Sequence, residues 1–334
     1  MSTSRTNRAL SVVAFILSLV TIAAAIWLYS NRQYVQDQLS VWSYEPSVAV
    51  QALNDKVQFT DKGLFTFYAT KPVVSDPSAF NGQCPRQEAG SPILGCYTSD
   101  DRIYVFNISN KELDGIKEVT AAHEMLHAVW HRMDASEQKR IGELLTTAYE
   151  KAASSELRER MEYYQRTEPD SITNELHSIL GTEVGNLGPE LETYYNQYFQ
   201  DRQRVLDLHT KYNTVYTALY TRADTLYEDM ETLSKSIESR SDTYATDVSI
   251  LSAEITRFNA RANSGDFDSL AQFNQEKAVL VQRSNDLESR RSAIQNDIST
   301  YNRYYEEYKT LSSQIEGLNN SVDSFKALGE APTV

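Results

Sequence analysis

His123, Glu124 and His127 follow one another in the order H-E-x-x-H within TAAHEMLHAVWHR, residues 120–132. Residues four apart on an α-helix lie one turn apart on the same face. Two imidazoles so placed can reach one tetrahedral zinc ion, and Glu124, about 100° around the helix, can reach a water on the same ion. Zinc lowers the pKa of such a water, and a neighbouring glutamate takes its proton as the water attacks a carbonyl carbon. The chemistry suggested is hydrolysis of an amide.

A third ligand is needed. His131 lies two turns beyond His123, too far along the axis for all three imidazoles to share an ion; it reads as solvent-facing or as a partner behind a ligand. Metzincin spacing, H-E-x-x-H-x-x-G-x-x-H, fails because Trp130 stands at the glycine and Met133 at the third histidine. SITNELHS, residues 171–178, offers a glutamate instead. Here the chain resembles the gluzincin branch of zinc metallopeptidases, the thermolysin-like superfamily, in which a glutamate on a later helix, often within N-E-x-x-S-D, completes the site. The chain reads Asn174, Glu175, Leu176, His177, Ser178, Ile179. It matches N-E-x-x-S and departs at the last position, so the acid that would orient a ligand there has to come from elsewhere.

The resemblance covers residues 95–185. It implies a zincin-like domain holding one Zn2+ per chain on His123, His127 and Glu175, with Glu124 as general base and a peptide or protein as substrate. Glu183 is the alternative third ligand. The gap from His127 to Glu175 is longer than in thermolysin, and two helices fill it. A peptidase also needs a donor for the transition-state oxyanion; the candidates are His177, Tyr194, Tyr195 and Tyr198, and the sequence does not choose among them. The run RIYVFNI, just before the H-E-x-x-H helix, is expected to be the sheet edge along which an extended peptide pairs.

These residues need a scaffold. Within residues 31–115, EPSVAVQALND reads as a short helix, DKGLFTFYAT as a turn and strand, and GCYTSDDRIYVFNIS as a hairpin turning at Ser99–Asp101. From Leu113 the period becomes helical, with Val119, Ala122, Leu126, Val129 and Met133 on one stripe. Helices are expected near 135–152 and 155–166, and again after Pro169 with Asp170 or Ser171 as cap. Pro189, Glu190 and Glu192 open a further, very long helix.

Leu226, Met230, Leu233, Ile237, Tyr244, Val248, Leu251, Ile255 and Phe258 then recur at steps of three and four. RANSGDFDS interrupts them, and a second seam runs from Leu287 through Ile298 and Tyr305 to Phe325. Two such seams around one turn predict an antiparallel coiled-coil hairpin with arms of ~60 residues reaching ~90 Å. The tyrosines in the seams read as packing. A symmetric register about Gly265 places Leu233 near Ile298 and Val205 near Phe325.

ALSVVAFILSLVTIAAAIWLY, residues 9–29, carries no charge, and a helix of that length spans ~31 Å, about one hydrocarbon core. Trp27 and Tyr29 suit an interfacial belt, and Arg5 and Arg8 before the segment favour a cytoplasmic N-terminus with the rest outside. A cleaved signal peptide, with Ala23 and Ala25 as the small residues before the cut, is the other reading; both export the chain. Cys84 and Cys96 are the two cysteines, and outside the cell they are expected to form one disulfide. The charge, Lys+Arg 32 against Asp+Glu 46, argues against nucleic acid as a partner.

The sequence thus predicts an α+β protein. Residues 1–8 are cytoplasmic, 9–29 form a single-pass anchor in the cell membrane, and 31–187 a small zincin-like domain. Residues 188–326 form the hairpin, turning near 260–268, and 327–334 a disordered tail. The activity expected is that of a zinc endopeptidase, the hairpin serving as spacer or as dock for a protein partner. A non-catalytic coiled-coil adaptor with a vestigial site, or a zinc amidase acting on cell-wall material, are the alternatives.

Overall fold

The structure is a computed structural model that describes residues 3–86 and 92–326; the expected tail at 327–334 lies outside them. It is mostly helical, with one small sheet. Helix α1 (Thr3–Ser30) contains a stretch, Val12–Ser30, long and apolar enough to cross a membrane. After a break at Asn31 come α2 (Arg32–Ser43), α3 (Val48–Val57) and α4 (Asp61–Ala69). The chain then alternates β1 (Val73–Ser75), α5 (Pro77–Gln83), β2 (Gly95–Tyr97) and β3 (Ile103–Phe106). Helices α6 (Ile116–Arg132), α7 (Ala135–Ala152), α8 (Ser155–Thr167), α9 (Ile172–Glu183) and α10 (Pro189–Tyr195) follow. Two long helices, α11 (Arg202–Ser264) and α12 (Leu270–Val322), complete the described chain.

Two expectations for residues 31–115 need correction. DKGLFTFYAT is helix α4, not a strand. The Thr60 hydroxyl accepts from the Gly63 amide as an N-cap, and Gly63, Thr66 and Phe67 are buried at helical spacing. Its aromatic residues imitate a strand pattern, but the cap and a three-to-four residue burial period decide the matter. RIYVFNI is also not an edge. The strand order is β1-β3-β2, with β1 parallel and β2 antiparallel to β3, so β3 is central and Ile103, Val105 and Phe106 are buried. The edge on the side of α6 is β2. The hairpin turn itself falls where expected, with Gly95 opposite Val105 and Tyr97 opposite Ile103.

Helix α6 is the centre of the core, buried on nearly every side. It starts at Gly115, whose φ of 107° only glycine adopts readily, and where a β-carbon would lie 2.9 Å from the Leu208 carbonyl oxygen. The long helix expected from Pro189 stops at Tyr195. Tyr194, Tyr195, Tyr198 and Phe199 are buried there, and Phe199 bridges to Phe59, drawing the chain into the core before α11 begins.

The described chain forms two compact units. One runs up to residue 215 and resumes from 318 to 326, the other spans 216–317, so the start of α11 and the end of α12 belong with the sheet and α6. The second unit is an antiparallel helix pair. Arg240 with Asp297, Asp247 with Arg290, Glu254 with Arg283 and Arg261 with Glu276 tie its arms together. Each of these four pairs is equidistant from a point between residues 268 and 269. Arg222 with Glu307, nearer the base of the pair, is equidistant from a point between residues 264 and 265, so Leu233 faces the stretch 296–304, which includes the expected Ile298. Phe258, Phe267 and Phe273 close the tip, with Arg261 over the Phe267 ring.

Candidate metal centre

The sequence from Gly115 to Arg132 presents His123 and His127 one turn apart on α6, and α9 brings Glu175 to them. α9 can approach because Gly181 faces α6. A β-carbon there would come within 2.4 Å of the Leu126 methyl and 2.7 Å of the Tyr195 ring. Arg202, buried at the start of α11, donates to the carbonyls of Leu180, Gly181 and Val184 and pairs with Glu192, satisfying the end of α9.

The ligand atoms of His123, His127 and Glu175 all lie within 4.8 Å of one another, a candidate metal site. Nε2 of His127 is 3.1 Å from Nε2 of His123 and 3.4 Å from Glu175 Oε1, and His123 Nε2 is 3.7 Å from Glu175 Oε2. Ligands about a tetrahedral zinc at ~2.0–2.1 Å stand roughly 3.3 Å apart. Two neutral imidazoles and a carboxylate at this spacing fit such an ion.

The second nitrogen of His127 is held as well. Nδ1 lies 3.0 Å from Asn174 Oδ1 and 3.2 Å from the Ser178 hydroxyl. The place of the missing acid is thus filled by an amide and a hydroxyl from α9 itself. Donation from Nδ1–H to Asn174 leaves the Nε2 lone pair facing the cluster.

Electrostatics favour a cation. Burial works against charge on His123, yet Glu175 and Glu124 outweigh it and raise its pKa. Burial also works against charge on Glu175, but His127, His123 and the Tyr164 hydroxyl hold its carboxyl down at about 2. Burial pushes Glu124 above the ordinary carboxylate range, although the two histidines and the Tyr97 backbone amide oppose it. Two carboxylates in a closed site attract positive charge.

The other candidates fall elsewhere. Glu183 makes a two-pronged pair with Arg160 at 2.6 and 2.7 Å and lies 3.4 Å from His209 Nε2, so it is not a third ligand. The four oxyanion candidates belong to the core. His177 is fully buried with Nε2 2.8 Å from the Tyr194 hydroxyl, and the Tyr195 hydroxyl donates to the His177 carbonyl. Tyr198 packs on Tyr194 beneath Lys62. Two positions after Glu175, a side chain on α9 points to the opposite flank of the helix, and aromatic packing claims it there. His131 is exposed, near the Tyr97 ring, as expected.

Tyr164, on α8, is the residue that sequence reasoning missed: its hydroxyl helps hold the Glu175 carboxyl low. Only the folding of α8 against α9 brings it there, and no local pattern announces that. The Cys84–Cys96 disulfide is formed, joining the end of α5 to β2.

No protein-family model, curated protein or solved structure matches this chain.

Proposed function

We propose that the chain is a membrane-anchored zinc endopeptidase that hydrolyses peptide bonds of extracytoplasmic proteins, with α1 as a single-pass anchor and a cytoplasmic N-terminus. The observation that carries this reading is the convergence of His123, His127 and Glu175 beside Glu124, from two stretches of sequence forty-odd residues apart. A structural histidine pair would not need a buried glutamate delivered from another helix.

His123, His127 and Glu175 would hold the ion. Zinc, when bound, supplies a Lewis acid that acidifies water and polarises a carbonyl oxygen. Glu124 accepts the proton of the attacking water and returns it to the departing amine. Burial raises its pKa, the direction that strengthens a carboxylate as a base. Asn174 and Ser178 orient His127, and Tyr164 orients Glu175. The sheet edge near Glu124 is β2, which suits an extended peptide paired through its backbone. The disulfide fits an oxidising compartment. The 216–317 helix pair serves as a dock for substrate or a protein partner.

Metal analysis of the purified full-length chain tests the reading: one zinc per chain, lost in Glu175→Ala, together with cleavage of a mixed peptide library. A chain that binds no zinc, or that binds it and cleaves nothing, overturns it.

A further inference from the structure

β2 sits directly on the general base. Leu94 and Thr98 pair with Phe106 and Arg102 of the β3 arm, so the amides of residues 95 and 97 face away from β3. The outward Tyr97 N–H faces the Glu124 carboxylate and favours its charged form. Gly95 lies so close that a β-carbon would stand 2.8 Å from Glu124 Oε1 and 2.6 Å from the Thr120 methyl. Glu124 is 6% exposed. The strand edge that a peptide would pair with, and the carboxylate that would serve it, are packed against each other.

A polar latch secures that contact. The Tyr97 hydroxyl donates to Asp101 Oδ1 at 2.7 Å, and Asp101 takes two bonds from Arg132, at 3.0 and 2.8 Å. Arg132 gives two more, at 2.9 and 2.8 Å, to Asp37 on α2, the helix that follows the apolar segment. Asp37 is 4% exposed and also accepts from Gln33. One guanidinium at the end of α6 thus joins the turn beyond β2 to the helix beside the anchor.

We infer that β2 is an autoinhibitory strap over Glu124, latched through Tyr97, Asp101 and Arg132 to Asp37, and that movement of α2 releases it. The role of Glu124 in this inference rests on the proposed hydrolase reading; the contact between strap and latch does not. A shift of α2 that separates Asp37 from Arg132 removes two of the bonds that fix the guanidinium and admits water to it, so the remaining Arg132–Asp101 pair is screened and β2 is freed to lift.

The test uses the full-length chain in detergent, loaded with zinc. Tyr97→Phe removes one hydroxyl from the latch, and Asp37→Asn removes one charge. Both are expected to speed hydrogen exchange at the amides of residues 95–97 and to raise zinc loss to a chelator about tenfold, with zinc stoichiometry unchanged. Cleavage of short peptides should rise in parallel. Exchange and zinc loss at wild-type rates in Tyr97→Phe overturn the strap, whatever happens to cleavage. If Asp37→Asn fails to fold, Tyr97→Phe alone decides. Faster exchange without any cleavage in either protein keeps the strap and sinks the peptidase reading.

Discussion

His127 Nδ1 meets the side-chain oxygen of Asn174, the residue just before the third ligand, at 3.0 Å. One short stretch of α9 therefore supplies a ligand to the candidate ion and the group that orients another ligand. Orienting partners of this kind are worth 10–100-fold in metal affinity. Asn174→Leu should weaken zinc binding by about that factor, while Asn174→Asp should match or tighten the wild type because its carboxylate accepts the same hydrogen bond more strongly. Competition with a chromophoric chelator reads both. Equal affinity in all three proteins would remove Asn174 from the site.

Glu124→Gln should keep the fold and one zinc per chain yet lose cleavage by about three orders of magnitude or more, since the carboxylate acts on water and not on the metal. Peptide turnover measured beside zinc content separates the two effects. Turnover near the wild-type rate would mean that another group is the base.

Residues 216–317 form a unit of their own. Replacing them with a short flexible linker should leave zinc affinity within about threefold and short-peptide cleavage nearly unchanged, because the ligands and their supports all lie in the other unit. Cleavage of a natural protein substrate, or capture of a partner, should suffer. Loss of zinc binding in a soluble, folded deletion protein would contradict this division.

Asp323 carries a pH prediction. Burial works to raise its pKa, but Arg86 and the Phe325 amide outweigh it and hold the carboxyl below its ordinary value. A carboxyl depressed in the folded state adds stability above its unfolded pKa, ~3.9, and that share is lost as pH falls through the lower folded value. Melting temperature should therefore drop more steeply below pH ~4 in the wild type than in Asp323→Asn, which starts lower and falls less. Parallel acid limbs in the two proteins would rule Asp323 out as a contributor.

The local half of the site was legible in the sequence. A four-residue spacing on a helix depends on no other part of the chain, so His123, Glu124 and His127 could be read directly. Glu175 was legible because its flanking Asn174 and Ser178 bond to His127 and so travel with it as a motif. What depended on neighbours distant in sequence was not. β1 turned β3 from an edge into a centre by pairing across some thirty residues. The buried ring cluster took His177, Tyr194 and Tyr195, polar groups that sequence alone offers equally to a site or to a core. In the hairpin, apolar seams fixed the pairing of the arms but left it free by a heptad, and oppositely charged residues across the arms set the final register.

The first unit is written in two pieces. Arg86 closes on Asp323, and Asn81 exchanges two hydrogen bonds with Ser324, across separations of 237 and 243 residues. At ~5–20 residues per second of synthesis, Arg86 leaves the ribosome roughly 10–50 s before its partner does. Throughout that interval the loop ahead of β2 lacks its last clamp, while α6 and α9 can already meet. A nascent chain stalled within the helix pair would therefore carry the candidate ligands His123, His127 and Glu175 and still lack the contacts that bind residues 323 and 324 to Asn81 and Arg86.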